Sequence, residues 1–232
     1  MTAVLGRDCL SAWKAACHQI INDGGESWNL IVSIENAATH SDAWLIDYDP
    51  QKVDSKSKRI RDVVNWIFPI KLSKRTHSRT ELYETYLATH DSAKQRGRLD
   101  NRWGTYFERL IRFEEKNVNQ LEDAIQRIAI WKRRKAAFVF HLSDPAVDAP
   151  KWMGGPCWQF GELAWRENDV LDLVVVYRNH DYFGRAFGNF ISLCALLRFI
   201  CDASGKTPGK LICHSIHADF GGKQGKLTKL MA

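Results

Sequence analysis

No apolar run in this 232-residue chain approaches the roughly 20 residues that a membrane-spanning helix needs. The opening MTAVLGRDCLSAW carries no signal-peptide pattern, so no membrane partner is expected. Cys9, Cys17, Cys157, Cys194, Cys201 and Cys213 include no CxxC pair, and no Cys/His set has the spacing of a structural zinc site. No metal is therefore expected. Without a secretion signal, a chain of this size is not expected to rest on disulfides, which points to a reduced, cytoplasmic setting. Internal repeats and low-complexity blocks are absent. Also absent is regular βαβ alternation, which excludes a doubly wound sheet and favours an α+β fold. The charge balance of 33 Lys+Arg against 27 Asp+Glu gives +6, and nine tryptophans and a KRRK run accompany it. No nucleic-acid-binding motif does, so a small anion such as a phosphate ester is the better-matched partner.

What is present is the balance of a globular protein, with 45% hydrophobic and 26% charged residues. One domain over residues 1–232 is the simplest organisation. Asp8 is placed to cap a helix over residues 8–22, whose inner face carries Leu10, Trp13, Cys17, Ile20 and Ile21. Residues 30–34 (LIVSI) read as a strand, and residues 49–58 as a polar connector. Helix is expected over residues 80–89, followed by a charged loop over residues 91–101. A second helix is expected over residues 119–133, its last turn and the residues beyond loaded with cations that suit the negative end of the helix dipole. Strands are expected at residues 136–142, 157–165, 171–178 and 210–216. Between the last two lies the apolar helix FISLCALLRFIC, residues 190–201. The Gly/Lys-rich tail, residues 220–232, is expected to be mobile at its end.

Two segments combine residue types that do chemistry. In GGPCWQF, Pro156 fixes the backbone before Cys157, and a guanidinium brought near that thiol would favour the nucleophilic thiolate. In YRNHDYFGRAFGNF, residues 177–190, six polar or charged side chains sit between an apolar strand and an apolar helix. Such groups either satisfy one another or face a cavity. An asparagine there can read a base edge, since its amide both donates and accepts.

The order Pro-Cys-x-Gln-Phe, a strand ending in Arg178, Asp181 three residues on and Asn189 eleven on resembles the thymidylate synthase and pyrimidine nucleotide hydroxymethylase superfamily. It is most similar to the short archaeal-type thymidylate synthases, best matched over residues 80–219. The resemblance implies a mixed β-sheet flanked by helices and dimerised sheet to sheet. It implies a pyrimidine nucleoside monophosphate as substrate and 5,10-methylenetetrahydrofolate as co-substrate. Cys157 then resembles the nucleophile that adds to C6 of the pyrimidine, and Tyr106 the tyrosine assisting proton removal. Arg178 and Asn179 resemble phosphate ligands, Asn189 the residue reading the base, and His217 the histidine near the sugar. Arg133 and Arg134 resemble the arginines reaching the neighbouring subunit's site, and Asp181 the aspartate contacting the pterin.

The departures are as informative. Asp219 stands where the family has tyrosine, and Phe187-Gly188-Asn189 replaces Pro-Phe-Asn. No glutamate matches the expected catalytic acid, and Asp62 in RDVVNWIF is its stand-in. No N-terminal arginine loop matches, and little tail follows Asp219 to close over a folate. The leading expectation is one-carbon transfer to C5 of a uridylate (dUMP to dTMP). Water addition in place of hydride, a 5-hydroxymethylase, is the alternative. An inactive nucleotide-binding homologue is the second alternative, and a nucleic-acid-binding module ranks last.

Overall fold

A computed structural model describes residues 2–97, 103–113, 117–130, 138–148 and 155–232. In chain order its elements begin with β1 (Thr2–Gly6), α1 (Cys9–Asn22), β2 (Glu26–Ile34), α2 (Trp44–Asp47), α3 (Ile60–Ile67), α4 (Ile70–Ser73) and α5 (Arg79–Gln95). They continue with α6 (Tyr106–Ile111), α7 (Gln120–Ile130), β3 (Phe138–His141), α8 (Pro145–Asp148), β4 (Trp158–Trp165), β5 (Val170–Tyr177) and β6 (His180–Asp181). Last come α9 (Ala186–Ser204), β7 (Thr207–Asp219) and α10 (Gln224–Met231).

The seven strands form one mixed sheet in the order β1-β2-β7-β5-β4-β3, with the short β6 added alongside β7. β1 with β2 and β5 with β7 are parallel, while β2–β7, β4–β5 and β3–β4 are antiparallel. Helices α1, α7 and α9 pack against strands of this sheet and against one another, with α9 in contact with both of the others. Alternation sorts each strand: Leu171, Leu173, Val175 and Tyr177 of β5, and Leu211, Cys213 and Ser215 of β7, are buried. Their neighbours Val174, Val176, Ile212 and His214 are only partly covered.

Local chemistry explains the helices. Asp8 and Ser11 close a reciprocal capping box on α1, whose buried stripe is Ala12, Trp13, Ala16, Cys17 and Ile20. Helix α9, 19 residues long, corrects the expectation that no segment is long and apolar enough to cross a membrane, but 78% of that window is buried inside the protein. Gly205, with φ of 71°, ends it in a left-handed turn. Burying each of Leu193, Leu196, Leu197 and Ile200 contributes about 1.5–3 kcal/mol, which makes α9 the centre of the core. Gly188 lets α9 approach α3 closely, since a Cβ there would lie 2.9 Å from Val63 Cγ1.

The structure corrects the loop expected from residue 91, adds a strand, and lengthens β2, α9 and β7 by a few residues. Helix α5 continues to Gln95 where a loop was expected from residue 91, because His90 is buried against Glu108 and Asp91 is bonded by Arg112. Residues 98–101 of that expected loop lie outside the described residues. The Gly/Lys-rich tail has regular structure over Gln224–Met231. It forms α10, with Leu227 and Leu230 buried and Lys223 and Lys226 both paired to Asp54. Strand β1 was not anticipated; it pairs in parallel with β2 from Thr2↔Leu30 to Gly6↔Ile34.

Candidate active site

A cavity of about 280 Å³ opens where β4, β5 and β6 meet the start of α9. Cys157 lies on its wall together with Asn179, His180, Asp181, Arg185 and Asn189. Trp66 of α3, Trp103, Tyr106 of α6 and Tyr177 of β5 supply aromatic surface. The sheet brings these together: Arg178 N–H donates to the Cys157 carbonyl, which joins the start of β4 to the end of β5.

Cys157 is the half-buried thiol of the chain; the other five cysteines are fully buried. Burial pushes its pKa up, and the guanidinium groups of Arg178 and Arg185 oppose that shift. Its loop is held by Tyr106, whose hydroxyl oxygen accepts the N–H groups of Cys157 (3.1 Å) and Trp158 (3.2 Å). Burial pushes the Tyr106 phenol well up, so that hydroxyl keeps its proton. Arg178 is exposed at the rim. Its Nε and Nη2 donate to the carbonyls of Pro156 (3.0 Å) and Gly155 (3.1 Å), leaving Nη1 for an anion beside the thiol.

Asp181 is fixed by its own turn, with Oδ1 accepting from the N–H groups of Phe183 and Gly184. Burial raises its pKa against those bonds, and a side chain at Gly184 would collide with the carboxylate. The turn is anchored from below by Trp13, whose Nε1 donates to the Tyr182 carbonyl (2.8 Å) and whose ring stacks on Phe187. Arg185 does not pair with Asp181. Its guanidinium lies over the Trp66 ring, 4.8 Å from the centroid, and its buried Nη1 has no hydrogen-bond partner among the described residues. Trp103 is held by the Arg109 guanidinium, 5.4 Å from its ring, and Arg109 is itself pinned by a buried pair with Asp148.

Asn189, 6% exposed, enters the cavity from the first turn of α9. Its Nδ2 lies 3.0 Å from His180 Nε2, and His180 Nδ1 lies 3.0 Å from Ser215 Oγ. His217 is near but not on the wall: it bonds Asn179 Oδ1 (3.0 Å) and Glu26 (2.9 Å) and stacks on Trp28.

Of the residues singled out in the sequence, the fold therefore gathers Cys157, Tyr106, Asn179, Asp181 and Asn189 around one cavity, with Arg178 and His217 at its edge. It does not bring Asp62 there. The inward stripe of α3 is Ile60, Val63, Val64 and Ile67, which turns Asp62 out to solvent, and Trp66 is the residue of that helix that reaches the cavity. Arg133 and Arg134 lie outside the described residues. Sequence reasoning missed the parts of His180, Trp66, Trp103 and Tyr177. Arg185 it left among the six polar residues of the 177–190 segment, with no role in the site.

No family model matches the chain. A protein of Methanococcoides burtonii named "Putative thymidylate synthase" is 28% identical over 198 residues, an alignment covering 78% of this chain and 86% of that protein. The similarity thus spans most of both chains, and it agrees with the resemblance drawn from the cysteine, arginine and asparagine spacing.

Proposed function

We propose that this chain is a thymidylate-synthase-like transferase that moves a one-carbon unit to C5 of a uridylate-type nucleotide. The observation that carries the reading is the setting of Cys157: a half-buried thiol on a cavity wall, flanked by two guanidinium groups, with Asn189 on the same cavity. In this reading Arg178 binds the 5′-phosphate through its spare donor, helped by Asn179, and His217 stands near the sugar. The Cys157 thiol loses its proton to solvent, and the thiolate forms a bond to C6. The C5=C6 electron pair moves to C5, with charge shared onto the C4 oxygen, and C5 becomes the nucleophile. Tyr106, anchored by two backbone N–H groups, is placed to assist the later loss of the C5 proton through water.

Methylenetetrahydrofolate supplies the one-carbon unit when bound. The cavity suits its ring: Trp66 and Trp103 offer flat faces for stacking, and the Asp181 carboxyl can accept from ring N–H groups. A symmetric dimer formed through the less covered sheet face fits the same reading. Leu5 is 70% exposed and Ile216 39% exposed, while Ile212, Val174 and Val176 are only partly covered. Asp181 is the single carboxylate lining the cavity among the described residues. Hydroxymethylation, with water in place of hydride, is the second reading. Incubation with methylenetetrahydrofolate and nucleotides tritiated at C5 tests both. Tritium release with dihydrofolate is the expected outcome; release without dihydrofolate selects the hydroxymethylase. No release from any pyrimidine nucleotide would leave a binding protein.

A further inference from the structure

His180 is 1% exposed, yet both its ring nitrogens are engaged. Its ring stacks on Tyr177 at 4.1 Å with the planes 4° apart, and Phe190 meets it edge-on. Ser215 Oγ, 3.0 Å from Nδ1, also lies 3.2 Å from the Tyr182 hydroxyl, and Cys213 Sγ is 3.8 Å from Nδ1. Burial among these neutral groups holds the imidazole pKa down to about 3, so the ring is neutral and carries one N–H.

A neutral imidazole has one donor and one acceptor, and an amide nitrogen can only donate. With Asn189 Nδ2 facing His180 Nε2, the ring must accept there and hold its proton at Nδ1, where it donates to Ser215. One hydrogen of the Asn189 amide is then committed to His180. The carbonyl oxygen and the second amide hydrogen are left side by side for a ligand. Turning the amide over would set its oxygen against the lone pair of Nε2. The order of donor and acceptor that Asn189 presents is thus tied to the tautomer of the histidine bonded to it.

We infer that His180 is the specificity-determining positioning residue of this cavity: accepting at Nε2 and bonded to Ser215 through Nδ1, it fixes the Asn189 amide and so selects between the two polar edges a pyrimidine can show. Uracil presents a carbonyl beside an N–H, and cytosine an amino group beside a bare nitrogen. These patterns are exchanged by one amide turn, and wild type takes the uracil edge. The inference rests on the pyrimidine reading given above.

The test has two arms. Histidine-labelled ¹⁵N spectra of the intact protein report the tautomer without any substrate, and the expected result is Nδ1–H for His180. In the second arm, Ser215→Ala frees the ring to carry its proton at Nε2, and His180→Phe removes the clamp at similar volume. Each variant, checked for folding by circular dichroism, should lose at least about tenfold of the uridylate-over-cytidylate preference in kcat/KM for tritium release. A role confined to stability would lower both substrates together. An Nε2–H tautomer in wild type, or an unchanged preference in both folded variants, overturns the inference while leaving the reaction in place. If wild type acts on no pyrimidine nucleotide, the pyrimidine reading falls and base selection falls with it.

Discussion

The two walls of the cavity are built on opposite terms. On one, His180, Asn189, Ser215 and Tyr182 bond to one another, none carries a charge at neutral pH, and the ring of Tyr177 seals the stack. On the other, Cys157, Arg178, Asp181 and Arg185 are charged or ionisable, and valence is left over. Arg178 Nη1 and Arg185 Nη1 have no acceptor among the described residues. A wall with its bonds satisfied holds a shape, which is what recognition needs. A wall with unspent donors holds a field, and gains its partners when an anionic ligand arrives. The difference separates residues that choose a ligand from residues that react with it.

The largest effect should come from the reactive wall. Cys157→Ala is expected to lower tritium release at least about a thousandfold while nucleotide affinity changes little, as measured by calorimetry. Affinity lost in step with turnover would place the thiol among the recognition groups instead. Next comes Arg178→Ala. It should weaken a nucleoside monophosphate about tenfold to a hundredfold and leave the nucleoside untouched, since a charge-assisted bond is worth about 1.5–3 kcal/mol. The same variant removes a cation that opposes the burial-driven rise in the Cys157 pKa, so the thiolate fraction falls. Alkylation of Cys157 by iodoacetamide at pH 8 should slow, and an unchanged rate would remove Arg178 from the field at the thiol.

A last effect, at the neutral wall, falls outside turnover and appears in stability. His180 titrates near 3 in the folded chain and near 6.5 when unfolded, so between those values the unfolded state binds more protons. The stability associated with a neutral His180 is fully present above pH 6.5 and is lost as the pH falls toward 3. Denaturant unfolding of wild type should therefore show a steeper slope across that window than His180→Phe, which keeps the slope from paired carboxylates such as Asp54 and Asp91.

Much of the frame was legible because it depends on spacing. Alternation marked β4, β5 and β7, the apolar run marked α9, and Asp8 marked the start of α1. Segments whose order comes from distant partners were not. Helix α10 reads as Gly/Lys-rich chain until Leu227 and Leu230 find the core and Asp54 collects two lysines. The exposed Leu5 hides β1, because only its pairing with β2 reveals it. The site divides the same way. Cys157, Arg178 and Asn189 stood out as a pattern along the chain. The setting of His180 depends on Ser215, 35 residues away, and that of Arg185 on Trp66 across the cavity. Asp62 was placed by its segment, RDVVNWIF, but it lies about 40° beyond Trp66 on α3, farther from the buried stripe of Ile60, Val63, Val64 and Ile67, and so ends in solvent.

Strand β7 has a consequence for how this protein can change over generations. It is bonded to β2 on one side and to β5 and β6 on the other, so Ser215 is embedded in the most heavily cross-linked part of the sheet. The residue bonded to the Nδ1 atom of His180 is therefore also part of the folding unit. A lineage can adjust the rim, where Arg178 is exposed, by small steps. Retuning the neutral wall requires replacing a buried serine, a histidine and an asparagine in concert, because each single step leaves a polar group buried without its partner. Ligand preference in this fold is thus expected to be the slowly drifting trait and affinity the quickly drifting one.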